Sequence, residues 1–324
     1  MPGWSRLRND DSILGAIGDT PLVALNRIRA ARKVKPRVFA KVEYFNPGGS
    51  VKDRAAIRMV ENAEREGRLR KGQEIVELTS GNTGIGLAVV SSVKGYKFTA
   101  VMSRGNSPER WRILRALGAK VVLVPQAQGG KSGQVSKEDL ELVETRTQQL
   151  VARLGAFRPD QFKNPDNSLA HEEGTGEEIW RQLGAKIDRF VALVGTAGTF
   201  VGVSRALKSH KSSVKCYAVE PASAPILSGR PVRSTKHKLQ GTGYAFVPYL
   251  WDANLCDGYL GITDSEAVRT ARELGRTEGI LGGFSGGANV AAAFKLARTI
   301  RTEETIVTII PDTGLKYLST DLYA

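Results

Sequence analysis

The residue whose surroundings could do chemistry is Lys52. It stands in Asn46-Pro47-Gly48-Gly49-Ser50-Val51-Lys52-Asp53-Arg54, between an apolar stretch over 37–44 and an amphipathic run ending near 68. Asn-Pro-Gly-Gly is turn chemistry: proline fixes φ, and glycine admits conformations other residues avoid. Ser50 with Asp53 three positions on reads as a capping box, which predicts a helix from Ser50 to about Arg68. Lys52 then falls in the first helical turn, beside the positive end of the helix dipole, which disfavours an ammonium group. A lysine buried there has a depressed pKa and makes a better nucleophile or base. Taken alone, a lysine near a helix start is more often an ordinary solvated one.

Two further stretches change that balance. Thr79-Ser80-Gly81-Asn82-Thr83-Gly84-Ile85-Gly86 follows an apolar run over 74–78, and Gly195-Thr196-Ala197-Gly198-Thr199 follows another over 190–194. Each leads into an apolar helical segment. In a parallel sheet, ligands sit at the carboxyl ends of strands, where a helix N-terminus offers unpaired N–H groups to an anion. Small residues let the backbone approach, and threonine and serine hydroxyls add donors without bulk. Either loop alone is common in any α/β fold. Two of them with a lysine such as Lys52 describe a site that holds two anionic groups around an amine.

Three competing motifs fail on inspection. Gly283-Phe284-Ser285-Gly286-Gly287 has the form of a hydrolase nucleophile elbow, but that arrangement needs a histidine after the serine. His171, His210 and His237 all precede Ser285. Gly130-Lys131-Ser132 resembles the end of a phosphate-binding P-loop, but position 125 is proline where glycine is required. Gly81, Gly84 and Gly86 approach the dinucleotide fingerprint without matching its spacing, which makes a nicotinamide enzyme a poor fit.

The elements that must position these residues alternate. Short apolar strands at 37–44, 74–78, 97–102, 120–124, 190–194, 214–219 and 305–310 are separated by helical segments at 50–68, 87–94, 107–118, 137–154, 200–208, 264–278 and 288–298. That is the pattern of an α/β fold with parallel sheet. The 324 residues suffice for two lobes, and the seam is expected near 161–167. Residues 125–136 and 221–243 read as loops. The first fifteen residues carry no apolar signal core, so a cytoplasmic protein with no membrane association is expected. Cys216 and Cys256 form no motif and are expected reduced, and the histidines show no metal spacing. The net charge of +14 raises the question of nucleic acid. The basic clusters near 208–215 and 230–238 lack interleaved aromatics and a recognition-helix pattern, so they read as solvated faces able to steer an anionic substrate.

Together the segments 46–54, 79–86, 195–199, 283–288 and 311–320 resemble the pyridoxal-phosphate-dependent cysteine synthase and cystathionine β-synthase family. The likeness runs from Ile13-Leu14-Gly15 and Gly18-Asp19-Thr20-Pro21-Leu22 to Tyr317-Leu318-Ser319-Thr320. It implies the fold-type-II architecture, which is tryptophan synthase β-like. That architecture has two three-layer α/β/α lobes with the cofactor in the cleft between them. A smaller, mobile domain would span 46–160. A larger one would take 1–45 plus 161–324, with no haem or regulatory domain.

The resemblance also implies roles. Lys52 would carry pyridoxal phosphate as a Schiff base and shuttle the substrate's α-proton. Gly195, Thr196, Ala197, Gly198 and Thr199 would cradle the cofactor phosphate, and Asn82 would bond its phenolic oxygen. Ser285 would face the pyridine nitrogen, making the ring a weaker electron sink than a carboxylate partner would. Thr79, Ser80, Thr83 and Gln161 would take the substrate α-carboxylate, with Gly241 near the substrate amine. No metal is implied.

The expected reaction is β-replacement on an O-activated serine, O-acetylserine or O-phosphoserine, with sulfide, giving L-cysteine through an aminoacrylate. The alternatives are a homocysteine, cyanide or amine acceptor, and, further off, a serine or threonine dehydratase. A homodimer is expected from the family alone. Three departures stand out. Ala197 replaces a usual glycine in the phosphate loop. Ser103-Arg104-Gly105-Asn106 replaces a segment with proline and methionine that lies near the substrate β-carbon in the family. Pro311-Asp312-Thr313-Gly314 lacks the usual double serine.

Overall fold

The computed structural model describes residues 11–79, 81–106, 108–128, 137–243 and 246–324. The first elements are β1 (Leu22–Ala24), α1 (Asn26–Arg32), β2 (Arg37–Val42), α2 (Lys52–Arg65), β3 (Ile75–Leu78) and α3 (Asn82–Lys94). β4 (Phe98–Ser103), α4 (Pro108–Ala116), β5 (Lys120–Val124) and α5 (Lys137–Leu154) follow. Next come α6 (Asp166–Ala170), a π-helical segment over His171–Gly176, α7 (Glu177–Leu183), β6 (Arg189–Leu193), α8 (Gly198–His210) and β7 (Lys215–Pro221). The last are β8 (Gly258–Ile262), α9 (Asp264–Glu278), α10 (Phe284–Ala297) and β9 (Thr305–Ile310).

The chain divides into two compact units. The first takes the described residues up to Asp19 with 46–48 and 52–160, and the second takes 20–45, 49–51 and 161–324. The residues up to Asp19 thus leave the 1–45 segment expected to stay together. The cause is a short turn at Ile13–Ala16, which lies on α3 and puts Leu14 against that unit's core.

In the first unit β3, β4 and β5 form a parallel sheet in that order. Ile75, Ala100 and Met102 point to one face and pack with Ala56 of α2, Ile85 of α3 and Leu114 of α4. Val76, Val101 and Val124 point to the other, against Val143 and Leu150 of α5. Strands apolar on both faces belong to a sheet covered by helices on both sides, which makes this unit three-layered.

The second unit repeats the plan around a sheet ordered β1-β2-β9-β6-β7-β8, parallel except for β1. Ile28 of α1, Leu274 of α9 and Val290 of α10 cover one face. Ile179 of α7 and Phe200 and Val203 of α8 cover the other.

Some elements differ from the sequence expectations. α2 begins at Lys52 rather than Ser50: Ser50 is bridged to Asp312, and the Asp53 carboxylate takes the Gly48 amide. α10 begins at Phe284 rather than Ala288, which places Ser285 in its first turn. Its early glycines serve packing, since a side chain starting at Gly287 would meet the Ala267 carbonyl of α9 at 2.2 Å. β8 went unseen because glycine opens it and recurs at 261, and glycine is depleted in strands.

Candidate active site

In the first unit the candidate residues gather at the start of two helices. Lys52 is the first residue of α2 and is half-buried. Thr79 follows β3 and is 3% exposed, and its hydroxyl accepts the Gly84 amide at 2.8 Å. That bond satisfies one of the amides that a helix start leaves without a partner. Asn82, half-buried, opens α3, and Thr83 beside it is buried. A Cβ at Gly86 would stand 3.1 Å from the Asp53 Cα, so glycine is what lets α3 lie directly on the first turn of α2. Lys52 and Asn82 are therefore held on two helices in direct contact. Ser80 lies outside the described residues. Arg110 of α4, which sequence reasoning passed over, brings Nη1 within 3.5 Å of where a Gly81 side chain would begin. β4 ends at Ser103, whose hydroxyl accepts the Gly105 amide, while Arg104 is exposed and Asn106 half-buried.

Glu77, on β3 just before this loop, is fully buried. Its Oε1 accepts the Leu78 amide. The Arg158 fork is spent on Glu144, at 2.7 Å from each of Nη1 and Nη2, leaving its Nε 3.7 Å from Glu77. Burial therefore prevails over that partner and pushes the Glu77 carboxyl up to about 7.

In the second unit β6 delivers Gly195, Thr196, Ala197, Gly198 and Thr199 to the N-terminus of α8. Ala197 caps that helix at φ 73°, in the left-handed region that favours glycine. Space is tight on both sides of it. A Cβ at Gly195 would be 2.5 Å from the Gly241 carbonyl, and one at Gly198 would be 2.3 Å from Asn167 Oδ1. Gly241 itself sits at φ 80°. The Asn167 amide donates to Thr196 Oγ1 at 2.9 Å and to the Gln161 carbonyl at 2.7 Å. One buried asparagine thus ties Gln161 to the loop. His171, fully buried, has Nε2 3.2 Å from Thr199 Oγ1 and Nδ1 2.9 Å from Thr175 Oγ1.

These braces reach the loop because glycines stand where α8 meets α6 and the π-helical segment. Gly202 would carry a Cβ 2.2 Å from the Ser168 carbonyl, and Gly176 one 2.4 Å from the Ala206 Cβ.

Ser285, half-buried, is tied to the same loop through α10. Asn289 accepts the Leu193 amide at 2.6 Å and donates to the Ile309 carbonyl at 2.8 Å. It bridges β6 and β9 beyond Val191, the last β6 residue paired with β9. The turn before Ser285 is held by 311–323. Gly283 N donates to the Asp312 carbonyl, the Tyr317 hydroxyl donates to Asp312 Oδ2 at 2.6 Å, and the Tyr323 hydroxyl donates to the Gly282 carbonyl. Burial, then the Asp312 charge, pushes the Tyr323 hydroxyl up to about 12, which keeps it a donor. Asp312 thus does structural work where the resembled family has serine.

Asn167, Asn289 and Tyr323 were not singled out from sequence, and His171 was read as an ordinary histidine. The one available signal was the turn chemistry of Asn164-Pro165-Asp166-Asn167 near the seam.

Two α/β/α units, with a lysine opening one helix and a left-handed, glycine-flanked turn opening another, suit a class of cofactor enzyme. Residues 13–312 match the family described as pyridoxal-phosphate dependent enzyme. The chain is 44% identical to cysteine synthase A of Escherichia coli over 327 residues, covering 99% of this chain and 97% of that one. Among solved structures, the O-acetyl serine sulfhydrylase isoform 3 of Entamoeba histolytica superposes with a TM-score of 0.91 at 38% identity, covering 100% of this chain and 94% of that one. An O-ureido-L-serine synthase superposes with a TM-score of 0.87 at 40% identity, covering 97% and 95%. The chain belongs to the pyridoxal-phosphate-dependent enzyme family, and its cofactor is pyridoxal phosphate. The residues present fit that group: a phosphate suits a helix N-terminus from which side chains at 195 and 198 are excluded.

Proposed function

We propose that this enzyme makes L-cysteine by exchanging the acetate of O-acetylserine for hydrosulfide at the β-carbon. The observation that carries the reading is the near end-to-end identity of 42–44% with proteins named cysteine synthase. The intact lysine and anion cradle agree with it.

When bound, the cofactor supplies an electron sink for charge left on the amino acid's α-carbon. The rest is the work of this chain's side chains. Lys52 would hold the cofactor through Nζ until the substrate's amine takes its place, and the freed amine would then take the α-proton and later return it. The loop 195–199 binds the phosphate. Asn82 donates to the ring oxygen, and Ser285 meets the ring nitrogen with a neutral hydroxyl. Thr79, Ser80, Thr83 and Gln161 hold the α-carboxylate, and Gly241 borders the amine. Loss of the α-proton with departure of acetate, then addition of hydrosulfide and return of the proton, gives cysteine plus acetate.

A second reading has one specific support. The similarity to an O-ureido-L-serine synthase, with polar Arg104 and Asn106 in the segment expected near the β-carbon, favours an oxygen nucleophile in place of sulfide. The proposal includes a cytoplasmic homodimer acting on small molecules, with no nucleic acid or membrane partner. Among the described residues no helix is long and apolar enough to cross a membrane.

The test is to supply the purified, cofactor-loaded enzyme with O-acetylserine, O-phosphoserine or serine, and with sulfide, homocysteine, cyanide or hydroxyurea. Cysteine from O-acetylserine and sulfide, abolished by Lys52→Ala, is the expected result. No cysteine from any donor, with turnover of hydroxyurea, would replace the first reading by the second. Light scattering at twice the chain mass checks the dimer.

A further inference from the structure

A second opening lies in the larger unit, at the end of the sheet where β8 is the edge strand. It encloses about 520 Å³, within the range of small-molecule sites and roomier than a lone inorganic ion needs. None of the residues given above to cofactor or amino acid lines it. Leu260 of β8 with Ala222 and Pro225 supplies apolar wall, Glu220 stands on the β7 side, and Arg230, Arg233 and Lys295 bring three cations.

The cations are not equivalent. Lys295 is committed, donating to the Gly261 carbonyl at 3.0 Å with Glu266 at 3.7 Å. Glu220 is committed too: it is 3% exposed, and Oε2 accepts the Leu227 amide at 2.9 Å, which shapes the segment that follows β7. That segment is pinned through its backbone, with Arg230 N on the Pro225 carbonyl and Arg233 N on the Ser223 carbonyl. It presents both guanidinium groups with no hydrogen bond or ion pair to any described residue. The other basic cluster behaves differently: Lys208 and Lys215 share Asp257, and Lys211 pairs with Asp188. Arg230 and Arg233 are exposed at this concave site, so their guanidinium groups are open to a ligand there.

A guanidinium binds a carboxylate or phosphate through a planar fork, and two forks beside apolar wall suit an oxyanion carried on an apolar body. We infer that this cavity binds a small organic anion, its phosphate or carboxylate head on Arg230 and Arg233 and its body against Pro225 and Leu260. The inference is independent of the acceptor in the reaction above.

The test uses cofactor-loaded protein, so that the phosphate loop is filled, in about 0.1 M chloride to screen diffuse attraction. Phenyl phosphate, benzoate and inorganic phosphate are titrated by calorimetry, with the cofactor's visible band as a check on the active site. One phenyl phosphate per chain, bound at least about tenfold tighter than inorganic phosphate and weakened at least about tenfold by Arg230→Ala with Arg233→Ala, is expected. The double variant should keep the melting temperature and visible band, since neither side chain supports the fold. Benzoate binding equal to phenyl phosphate identifies a carboxylate head, and binding of phenyl phosphate alone identifies a phosphate ester. No saturable heat by about 10 mM, where a site would hold its ligand with less than about 3 kcal/mol, overturns the inference, as does binding that the double variant leaves unchanged.

Discussion

Two loops of one plan, each joining a strand to a helix through small and hydroxyl residues, are held in opposite ways. The loop after β3 is closed by its own chain, Thr79 taking the amide of Gly84 five positions on. The loop after β6 is braced from a distance, by Asn167 on Thr196 and His171 on Thr199, and its Gly195 abuts Gly241. A loop closed on itself depends less on distant segments, although its Gly86 still lies against Asp53 of α2. A remotely braced one needs the closure of long stretches of chain and tolerates almost no added atom. Similar sequence motifs can therefore differ widely in what a substitution does to them.

The sharpest way to break that contrast is a matched pair of glycine substitutions. Gly198→Ala puts a methyl 2.3 Å from Asn167 Oδ1 and should cost about 3 kcal/mol with loss of cofactor retention. Among the described residues Gly81→Ala meets Arg110 Nη1 at 3.5 Å, and it should cost less than about 1 kcal/mol. Chemical denaturation and the visible band read both. Equal losses would mean that the two loops are braced alike.

The next effect is a pH dependence seated in β3 alone. Glu77 is raised from 4.5 to about 7 in the fold. Below about 4.5 it is neutral in both states and costs nothing. Between there and about 7 the unfolded chain ionises while the folded one holds its proton, so stability falls as pH rises. The accumulated loss is about 3 kcal/mol above pH 7. Glu77→Gln should recover most of it at pH 8 and flatten stability between pH 4.5 and 7. A variant whose stability follows the parent's pH curve would exclude Glu77 as the cause.

Smaller still, Thr79→Val strands the Gly84 amide and should cost about 1–2 kcal/mol, with no change in cofactor affinity if that loop is self-contained. Ala197→Gly should run the other way. It removes a left-handed alanine, stabilising by about 1 kcal/mol and tightening cofactor binding measured by equilibrium dialysis.

That alanine also shows what was legible in the sequence. Lys52 and both loops could be proposed because anion binding at helix starts uses few residue types in short runs, while Asn82 and Ser285 came from the family resemblance. The strain at Ala197 could be anticipated because one methyl at a glycine position has one consequence. The braces could not. Asn164-Pro165-Asp166-Asn167 reads as an ordinary turn, and His171 reads as packing until α8 is laid beside it across Gly202 and Gly176. Ser285 was found as a residue but not as part of a helix, because Gly283, Gly286 and Gly287 look like a loop until α9 is seen to need the space. Local chemistry is written locally, and what holds it still is written elsewhere in the chain.

Asn289 has a consequence for how the second loop breathes. By accepting the Leu193 amide and donating to the Ile309 carbonyl, it continues the join between β6 and β9 past the end of their ladder. Amide exchange at Leu193 then requires loss of a bond made from the centre of a buried helix, which ordinary fraying of a strand end does not break. The 195–199 loop therefore starts from a strand end tied to β9 through Asn289, and opening there means breaking that link.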